Sequence, residues 1–315
     1  MAERNCSAML DAKFSEGKNV CVGLDTDSSE ISKEIDEFLR NKYKIPPSGS
    51  QGVVMRRFNR EIIGATCDLV AAYKYNYWFY ANQMYQGLHA LQYSINSSRE
   101  FAPDVPIILD FKAGDIGVSM KKAAEFAFEK LGVDAVTVNP WGGCDDGLDA
   151  FFEYEDKMIF VWCKGSNAGS REIQSLYALP GRYTPQHFIN PGNVGVGYKQ
   201  WVKHVAESIV PLYKMLAEQV HYWNMHDNIG LVVGATYPDE LKEVRKIVGD
   251  EMPILVPGIG AQGGDVEEAV KAAGPRTLFN SSRGIIYASK ELDFAEAART
   301  KVVILQNEID KWRSG

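Results

Sequence analysis

Short runs of apolar and β-branched residues, bounded by turn-forming residues, recur along the chain. Runs of this length and composition predict β-strands. Eight segments have this character: residues 20–25, 68–76, 106–112, 135–140, 158–164, 229–236, 253–259 and 277–282.

Amphipathic stretches lie between these runs. Apolar residues repeat at helical spacing in residues 119–131, 238–248 and 265–273. Eight strand–helix units predict an α/β fold in the form of a closed parallel (β/α)8 barrel, the TIM barrel. An open, doubly wound sheet would use the same alternation. The count of eight and the absence of a break in composition favour one barrel domain over residues 1–315.

Two segments exceed what a bare barrel needs. Residues 27–54 are polar and contain a turn cluster at 46–52, and residues 165–199 are rich in Gly, Asn, Pro and Ser. The second segment follows a strand, and loops after the strands of a barrel form its active-site face. We therefore expect residues 165–199 to cover a ligand, although a surface loop without a role would have the same composition.

Composition excludes several classes of function. A net charge of −7 argues against general binding to nucleic acid, which needs a basic surface. No uncharged apolar run approaches the ~20 residues that span a bilayer, so no membrane association is expected. The five cysteines lack a C-x-x-C pair, which predicts reduced thiols, and no targeting signal is recognisable. These features favour a cytoplasmic protein.

The most informative stretch is DFKAGDIGVS at residues 110–119. Residues two apart on a strand point the same way, so Asp110 and Lys112 should project together into the barrel mouth. Asp115 follows in the loop, and Lys74 ends the preceding strand. Two lysines and two aspartates would then form an alternating charged array. An isolated D-x-K would be read more simply as salt bridges that close the barrel top.

Phosphate-binding signals follow the seventh and eighth predicted strands, in VPGIGAQGGD and NSSRG. Barrels commonly hold phosphate at this place with backbone N–H groups and a helix N-terminus, and Gln262 and Arg283 would add side-chain donors. Gly258, Gly260 and Gly263 also satisfy G-x-G-x-x-G. A dinucleotide fingerprint belongs on the first strand of its fold, however, with an acidic residue about 20 positions later.

Histidines and tryptophans suggest no further site. The five histidines show neither H-E-x-x-H nor a pair at i,i+4, so we predict no metal site. Five tryptophans are interpreted as core or rim packing: Trp78, Trp141, Trp162, Trp201 and Trp223.

The motifs together resemble the orotidine 5′-monophosphate decarboxylases, in particular their longer type 2 branch. The central family motif D-x-K-x-x-D-I-x-x-T corresponds to DFKAGDIGVS. Further matches are CKGSNAGS at 163–170, VVGATYPDEL at 232–241, LVPGIGAQGGD at 255–265 and NSSRGIIYA at 280–288. The resemblance runs from residue 23 to residue 287.

The resemblance implies a reaction without metal or organic cofactor, the conversion of orotidine 5′-monophosphate (OMP) to UMP in pyrimidine synthesis. Lys112 would protonate the ring carbanion, and Asp110 would face the substrate carboxylate. Lys74 and Asp25 would hold ribose hydroxyls. Asp115 would complete the charged array.

Further substrate-binding positions follow from the same motifs. Ser166 would read the pyrimidine edge. Asp115 and Ser119 would reach into the site of a neighbouring subunit, which implies a homodimer with composite active sites. The remaining implied positions, which complete the phosphate grip and the nucleotide site, are Asn76, Ile116, Gly260, Gln262, Gly263 and Arg283.

This chain departs from the family motifs at two positions. Ser119 stands where Thr is usual, and Tyr75 replaces the common Pro of K-P-N. Neither change removes a charged group, so they affect the expected fine positioning more than the expected reaction.

Three alternatives stay open at the level of sequence. A magnesium-dependent sugar-phosphate decarboxylase or hexulose-phosphate synthase shares D-x-K-x-x-D but typically has a metal-binding carboxylate near Lys74. A noncatalytic nucleotide sensor would not need all four charged residues. An NADP-binding oxidoreductase would use the late glycine motif.

Overall fold

Eight parallel strands close into a barrel, as the alternation of strand and helix predicts. The computed structural model describes residues 4–179, 208–260 and 264–313. The barrel strands are β1 (Val20–Gly23), β2 (Ala72–Asn76), β3 (Ile107–Ala113), β4 (Ala135–Val138), β5 (Met158–Lys164), β8 (Ile229–Val233), β9 (Ile254–Pro257) and β10 (Thr277–Ser281). They follow the order β1-β10-β9-β8-β5-β4-β3-β2 around the barrel, and β1 pairs with both β10 and β2. Two short strands, β6 (Tyr177–Ala178) and β7 (Val210–Pro211), pair antiparallel outside the barrel.

All eight predicted strands are present, and the one at residues 158–164 is confirmed at both ends. The run predicted at 68–76 begins only at Ala72, because a turn precedes it. The runs predicted at 229–236 and 253–259 end earlier, at Val233 and Pro257. In both cases the trailing residues belong to the loops that shape the barrel mouth.

Helices surround the barrel. They are α1 (Cys6–Ser15), α2 (Lys33–Tyr43), α3 (Gln51–Thr66), α4 (Tyr77–Ala81), α5 (Met84–Phe101), α6 (Gly117–Ala124), α7 (Asp149–Phe152), α8 (Leu212–Trp223), α9 (Pro238–Val248), α10 (Val266–Ala273), α11 (Arg283–Ile286) and α12 (Phe294–Arg313). Short 3-10 helices span Pro140–Gly142 and Ala168–Glu172, and a π-helical turn spans Glu125–Leu131. The segment Cys144–Leu148 is a kinked turn whose backbone is non-helical at Asp145 and Asp146.

The predicted helices agree with these bounds to different degrees. Residues 238–248 form α9 with both ends as predicted. Residues 265–273 form α10, with Asp265 as the N-cap that accepts a hydrogen bond from the N–H of Glu268. The stretch predicted at 119–131 divides into α6 and a wider π-helical segment, which ends at Gly132 in a left-handed conformation.

The hydrophobic core forms two layers. Alternate residues of the strands point into the barrel, among them Ile108, Met158 and Phe160, and all three are fully buried. The opposite faces of the strands pack against the helices. Helix α1 closes the end of the barrel with Cys6 and Leu10, so the opposite end, where the strands have their carboxyl ends, remains as the mouth.

The two long insertions are partly ordered elements. Residues 27–54 contain α2, whose Ser32 N-cap accepts from the N–H of Ile35. In the second insertion, residues 165–179 contain a 3-10 helix and β6. Residues 180–199 lie outside the described residues, so the predicted cover over a ligand is not described there. Within the described part of the chain, no helix is long and apolar enough to cross a membrane.

Candidate active site

A cavity of about 390 Å³ opens at the carboxyl ends of the barrel strands. This volume lies in the range of small-molecule sites, and its place is that of barrel active sites. Seven of the predicted site residues line it: Asp25, Lys74, Asn76, Asp110, Lys112, Ser166 and Arg283.

A carboxylate between two ammonium groups forms the floor of this cavity. The Nζ atom of Lys74 lies 3.0 Å from Oδ2 of Asp110, and the Nζ atom of Lys112 lies 2.6 Å from Oδ1. Lys74 also reaches Oδ1 of Asp25, at 3.2 Å. The four side chains therefore alternate in charge along the order Asp25, Lys74, Asp110, Lys112.

Electrostatics keeps the inner members of this array charged. Burial alone would raise the pKa of Asp110, but the charges of Lys74 and Lys112 outweigh it and hold that pKa well below its usual range. For Lys74 burial acts to lower the pKa, but Asp110 and Asp25 raise it above the ordinary value. Both groups are therefore ionised at neutral pH.

A bulge in β3 brings Asp110 and Lys112 together. The register with β4 shifts between Asp110 and Ala113, and Lys112 has a φ of 49°, in the left-handed region. The prediction that the two side chains meet is confirmed, but its reason was incomplete. They meet through an irregular strand end rather than through the regular pleat, and such bulges commonly redirect side chains at active sites.

Thr137 of β4 supports this bulge and was missed from the sequence. Its hydroxyl donates to Oδ1 of Asp110 at 2.8 Å and accepts from the backbone N–H of Lys112 at 3.1 Å. One buried hydroxyl thus binds both the carboxylate and the backbone of its neighbour. The run AVTV gives no sign of this role, because Thr is an ordinary strand residue.

Lys112 faces the open part of the cavity, and its side chain retains 34% of its exposure. Its Nζ atom lies 5.8 Å from the ring centroid of Trp162, which lines the cavity wall. Trp162 was interpreted as packing, but it also borders the site. Lys112 is therefore more accessible to a ligand in the cavity than Lys74, whose side chain is 4% exposed.

One side of the cavity is built from the turn after β5. Ser166 and Asn167 line it, and the carbonyl of Ser166 accepts a hydrogen bond from the hydroxyl of Thr236 at 2.9 Å. Gly234 allows the turn to approach β8, because a Cβ there would lie 2.6 Å from the backbone N of Ser166. This side can offer polar groups of fixed position to a planar ligand.

Another side has the character of an anion site. Arg283 begins α11 and lines the cavity together with Asn280 and Ser282. Among the described residues, Arg283 forms no ion pair, so its guanidinium is available to a phosphate. Gly260 directly follows the lining residue Ile259 and is exposed, with a φ of 74°. The predicted phosphate ligands Gln262 and Gly263 lie outside the described residues.

Three predicted site residues that follow β3 do not line the cavity of this chain. Asp115, Ile116 and Ser119 are exposed in the loop after β3 and the first turn of α6. The carboxylate of Asp115 accepts a hydrogen bond from the N–H of Ile116 at 2.8 Å. The array within one chain therefore contains Asp25 rather than Asp115 as its second carboxylate.

The departure at Tyr75 has a structural explanation. Tyr75 is fully buried on the outer face of β2, where its hydroxyl donates to the carbonyl of Ser94 and lies 2.7 Å from the hydroxyl of Ser98. Its side chain points to α5, away from the cavity. Replacement of the usual Pro therefore leaves Lys74 and Asn76 in place.

Known proteins are similar to this chain along almost its whole length. The family model of the "Orotidine 5'-phosphate decarboxylase / HUMPS family" matches residues 18–189. The orotidine 5′-phosphate decarboxylase of Ralstonia pickettii (strain 12J) is 37% identical over 300 residues, which cover 94% of each chain. The protein of the same name from Herpetosiphon aurantiacus is 38% identical over 289 residues, 91% of each chain.

Solved structures agree in fold. The OMP decarboxylase of Leishmania donovani is 27% identical, with a TM-score of 0.69 over 96% of this chain and 99% of that one. The UMP synthase of the same organism is 30% identical, with a TM-score of 0.72 over 97% of this chain. This chain spans 55% of that longer protein. With these matches, the chain belongs to the orotidine 5′-phosphate decarboxylase / HUMPS family.

Proposed function

We propose that this protein decarboxylates OMP to UMP in pyrimidine synthesis and that it uses neither a metal ion nor an organic cofactor. The observation that carries the proposal is Asp110 held between the ammonium groups of Lys74 and Lys112 at the cavity floor. The activity named for the relatives from Ralstonia and Herpetosiphon supports the same reaction.

The reaction places a specific demand on the site. When the bond to the carboxylate breaks, its electron pair remains on a ring carbon with little resonance relief, and carbon dioxide leaves. An ammonium fixed beside that carbon stabilises the developing charge and then donates a proton to it. Lys112 is suited to both steps, and water returns a proton to its amine afterwards.

Other residues would bind the parts of the substrate that do not react. Asp25, Lys74 and Asn76 lie where ribose hydroxyls would bind, Ser166 faces the place for the pyrimidine edge, and Arg283 stands ready for the phosphate. Binding energy from the phosphate, far from the reacting carbon, can hold the base against the charged array.

The single-domain organisation and the cytoplasmic location stay predictions.

A magnesium-dependent sugar-phosphate enzyme is the main rival. Such chemistry needs a carboxylate free to bind the metal, but Asp25 and Asp110 both contact Lys74, at 3.2 and 3.0 Å. The test is to treat the protein with EDTA and follow the ultraviolet change from OMP to UMP. Turnover that is unchanged by EDTA or added Mg²⁺ supports the proposal, whereas turnover only with Mg²⁺, or only of sugar phosphates, contradicts it.

We further propose a homodimer in which Asp115, Ile116 and Ser119 complete the site of the partner. Exposed apolar side chains lie among and beside these residues: Ile116, Val118 and Trp141 are 60%, 72% and 81% exposed. The loop after β3 contacts the loop after β4, since a Cβ on Gly142 would lie 3.5 Å from the Ile116 side chain. Exposed apolar surface beside a charged site is typical of an interface between chains.

Hybrid dimers test this arrangement. Lys112→Ala and Asp115→Ala should each be nearly inactive alone. When equal amounts are mixed under conditions that exchange subunits, half of the dimers are hybrids. Each hybrid contains one site with both native residues and one site with neither, so activity should approach a quarter of that of the native protein. Sedimentation should also give a dimer. No recovery in a mixture that demonstrably exchanges would contradict composite sites.

A further inference from the structure

A second bulge, at the end of β5, separates residues that face the cavity from residues that face outward. The register with β8 shifts between Trp162 and Lys164. Trp162 lines the cavity, whereas Cys163 and Lys164 are buried among the elements outside the barrel. Bulges redirect side chains in this way near active sites. Lys164 is thereby a cation beside the site that does not enter it.

Lys164 is fully buried, and its ammonium group makes one hydrogen bond, one ion pair and two contacts with aromatic rings. The Nζ atom donates to the hydroxyl of Ser175 at 2.7 Å and lies 3.4 Å from Oε2 of Glu240 in α9. It also lies 4.9 Å from the ring centroid of Tyr237 and 5.8 Å from that of Tyr213. A buried ammonium group is strongly unfavourable unless it is paired, so loss of these contacts would rearrange the surroundings.

The partners of Lys164 belong to the segments that hold the turn at the cavity. Ser175 lies in the segment of residues 165–175, which follows β5. Within this segment the N–H of Gly165 donates to the side-chain oxygen of Gln174, next to Ser175, at 2.8 Å. The hydroxyl of Tyr237 donates to the carbonyl of Asn167 at 3.3 Å. The ammonium group of Lys164 thus contacts Ser175 and Tyr237, on two sides of the turn. Ser166 and Asn167 form the part of this turn that lines the cavity.

We propose that Lys164 is a positioning residue that fixes Ser166 and Asn167 at the base side of the cavity, and so sets the affinity for the pyrimidine part of the nucleotide. The inference rests on the proposed function, because that function identifies the ligand as a pyrimidine nucleotide. Lys164 does not touch the ligand. Its influence passes through the Ser175 and Tyr237 contacts to the turn, while the array around Asp110 and the anion side at Arg283 belong to other strands.

The experiment compares two ligands by calorimetric titration: UMP, which carries the base, and ribose 5-phosphate, which lacks it. Lys164→Met keeps the length of the side chain and removes its charge. We expect about tenfold weaker binding of UMP and binding of ribose 5-phosphate within twofold of the native protein. In a Ser166→Ala background, Lys164→Met should weaken UMP binding by less than twofold, because coupled residues are not additive.

Two further variants keep the test decisive. Lys214→Met removes a partly exposed α8–α9 ion pair, Lys214 Nζ to Glu243 Oε1 at 2.8 Å, and should leave the binding of both ligands unchanged. If Lys164→Met fails to fold, Ser175→Ala removes one hydrogen bond of the same ammonium group. It should still weaken UMP binding severalfold while sparing ribose 5-phosphate.

The outcomes separate this inference from the proposed function. Equal weakening of both ligands, or no change in UMP binding for Lys164→Met and Ser175→Ala, would overturn the positioning role alone. A native protein that binds ribose 5-phosphate as tightly as UMP would overturn the proposed pyrimidine site and the inference with it. Selective loss of UMP affinity, absent from Lys214→Met, supports the positioning role.

Discussion

Thr137→Val isolates the contribution of one buried hydroxyl to the charged array. Thr137 is 1% exposed, and valine has nearly the same shape without the hydroxyl. The change removes a hydrogen bond to the ionised Asp110, which is worth roughly 1.5–3 kcal/mol. Asp110 keeps both ammonium partners, and Lys112 lines the open cavity, where water can bind its freed N–H. The lower part of that range, about 2 kcal/mol, is therefore expected.

If the hydroxyl fixes Asp110 and Lys112 for the reaction, the same loss appears in the transition state. About 2 kcal/mol corresponds to a fall of roughly 30-fold in kcat/KM. The pKa of Asp110 should rise, yet stay below its usual range because Lys74 and Lys112 remain. The assays are decarboxylation of OMP followed by ultraviolet absorbance, and unfolding in urea for the stability.

Thr277→Val is the matched control. Thr277 is also fully buried on a barrel strand, at the far end of β10 from the mouth. Its hydroxyl donates to the carbonyls of Ala273 and Gly274, both at 3.0 Å, and accepts from Nη2 of Arg245 at 3.4 Å. It should lose about 1 kcal/mol of stability and no activity. The reasoning fails if Thr137→Val keeps kcat/KM within threefold of the native value while it loses as much stability as the control.

Three further predictions follow from the same geometry. The free energy of unfolding should be about 1 kcal/mol higher for Lys112→Gly than for Lys112→Ala. A left-handed φ costs a non-glycine residue roughly 1–2 kcal/mol, and the greater conformational entropy of glycine in the unfolded chain offsets part of this gain. Urea denaturation of both variants measures the difference, and equal stabilities would contradict the prediction. The lowered pKa of Asp110 means that its ionisation stabilises the fold above the unfolded value of about 3.9, and that this stability is lost as pH falls towards the folded pKa. The difference in unfolding free energy between the native protein and Asp110→Asn should thus be constant above about pH 5 and shrink below about pH 4, and a difference independent of pH down to acid unfolding would refute the assignment. Gly234→Ala places a Cβ 2.6 Å from the backbone of Ser166 and should raise KM for OMP about tenfold with a smaller change in kcat, whereas an unchanged KM would contradict the role given to this close approach.

The architecture was predictable because its signals are local. Each barrel strand is a short apolar run, and α9 begins with Pro238 and carries apolar residues at helical spacing, so the bounds follow from the residues themselves. Helix α2 was missed although signals for it exist: Ser32 is an N-cap, and Ile35 and Leu39 lie four residues apart and are buried.

The details of the site depend on irregularities that no local pattern encodes. The bulges at Asp110 and Trp162 arise where strands of the closed barrel leave register, which is a property of neighbouring strands and not of either run alone. Thr137 and Lys164 take their roles from these bulges. The exposed position of Asp115 likewise reflects the loop after β3, and its proposed partner site lies on another chain.

The central claim is that Lys112 performs the chemistry while other residues bind the nucleotide. The most direct test is Lys112→Ala, with single turnover of OMP and the dissociation constant of UMP measured on the same preparation. The account predicts a rate at least about 10³-fold lower, with UMP affinity within tenfold of the native value. A variant that turns over OMP within tenfold of the native rate would contradict it.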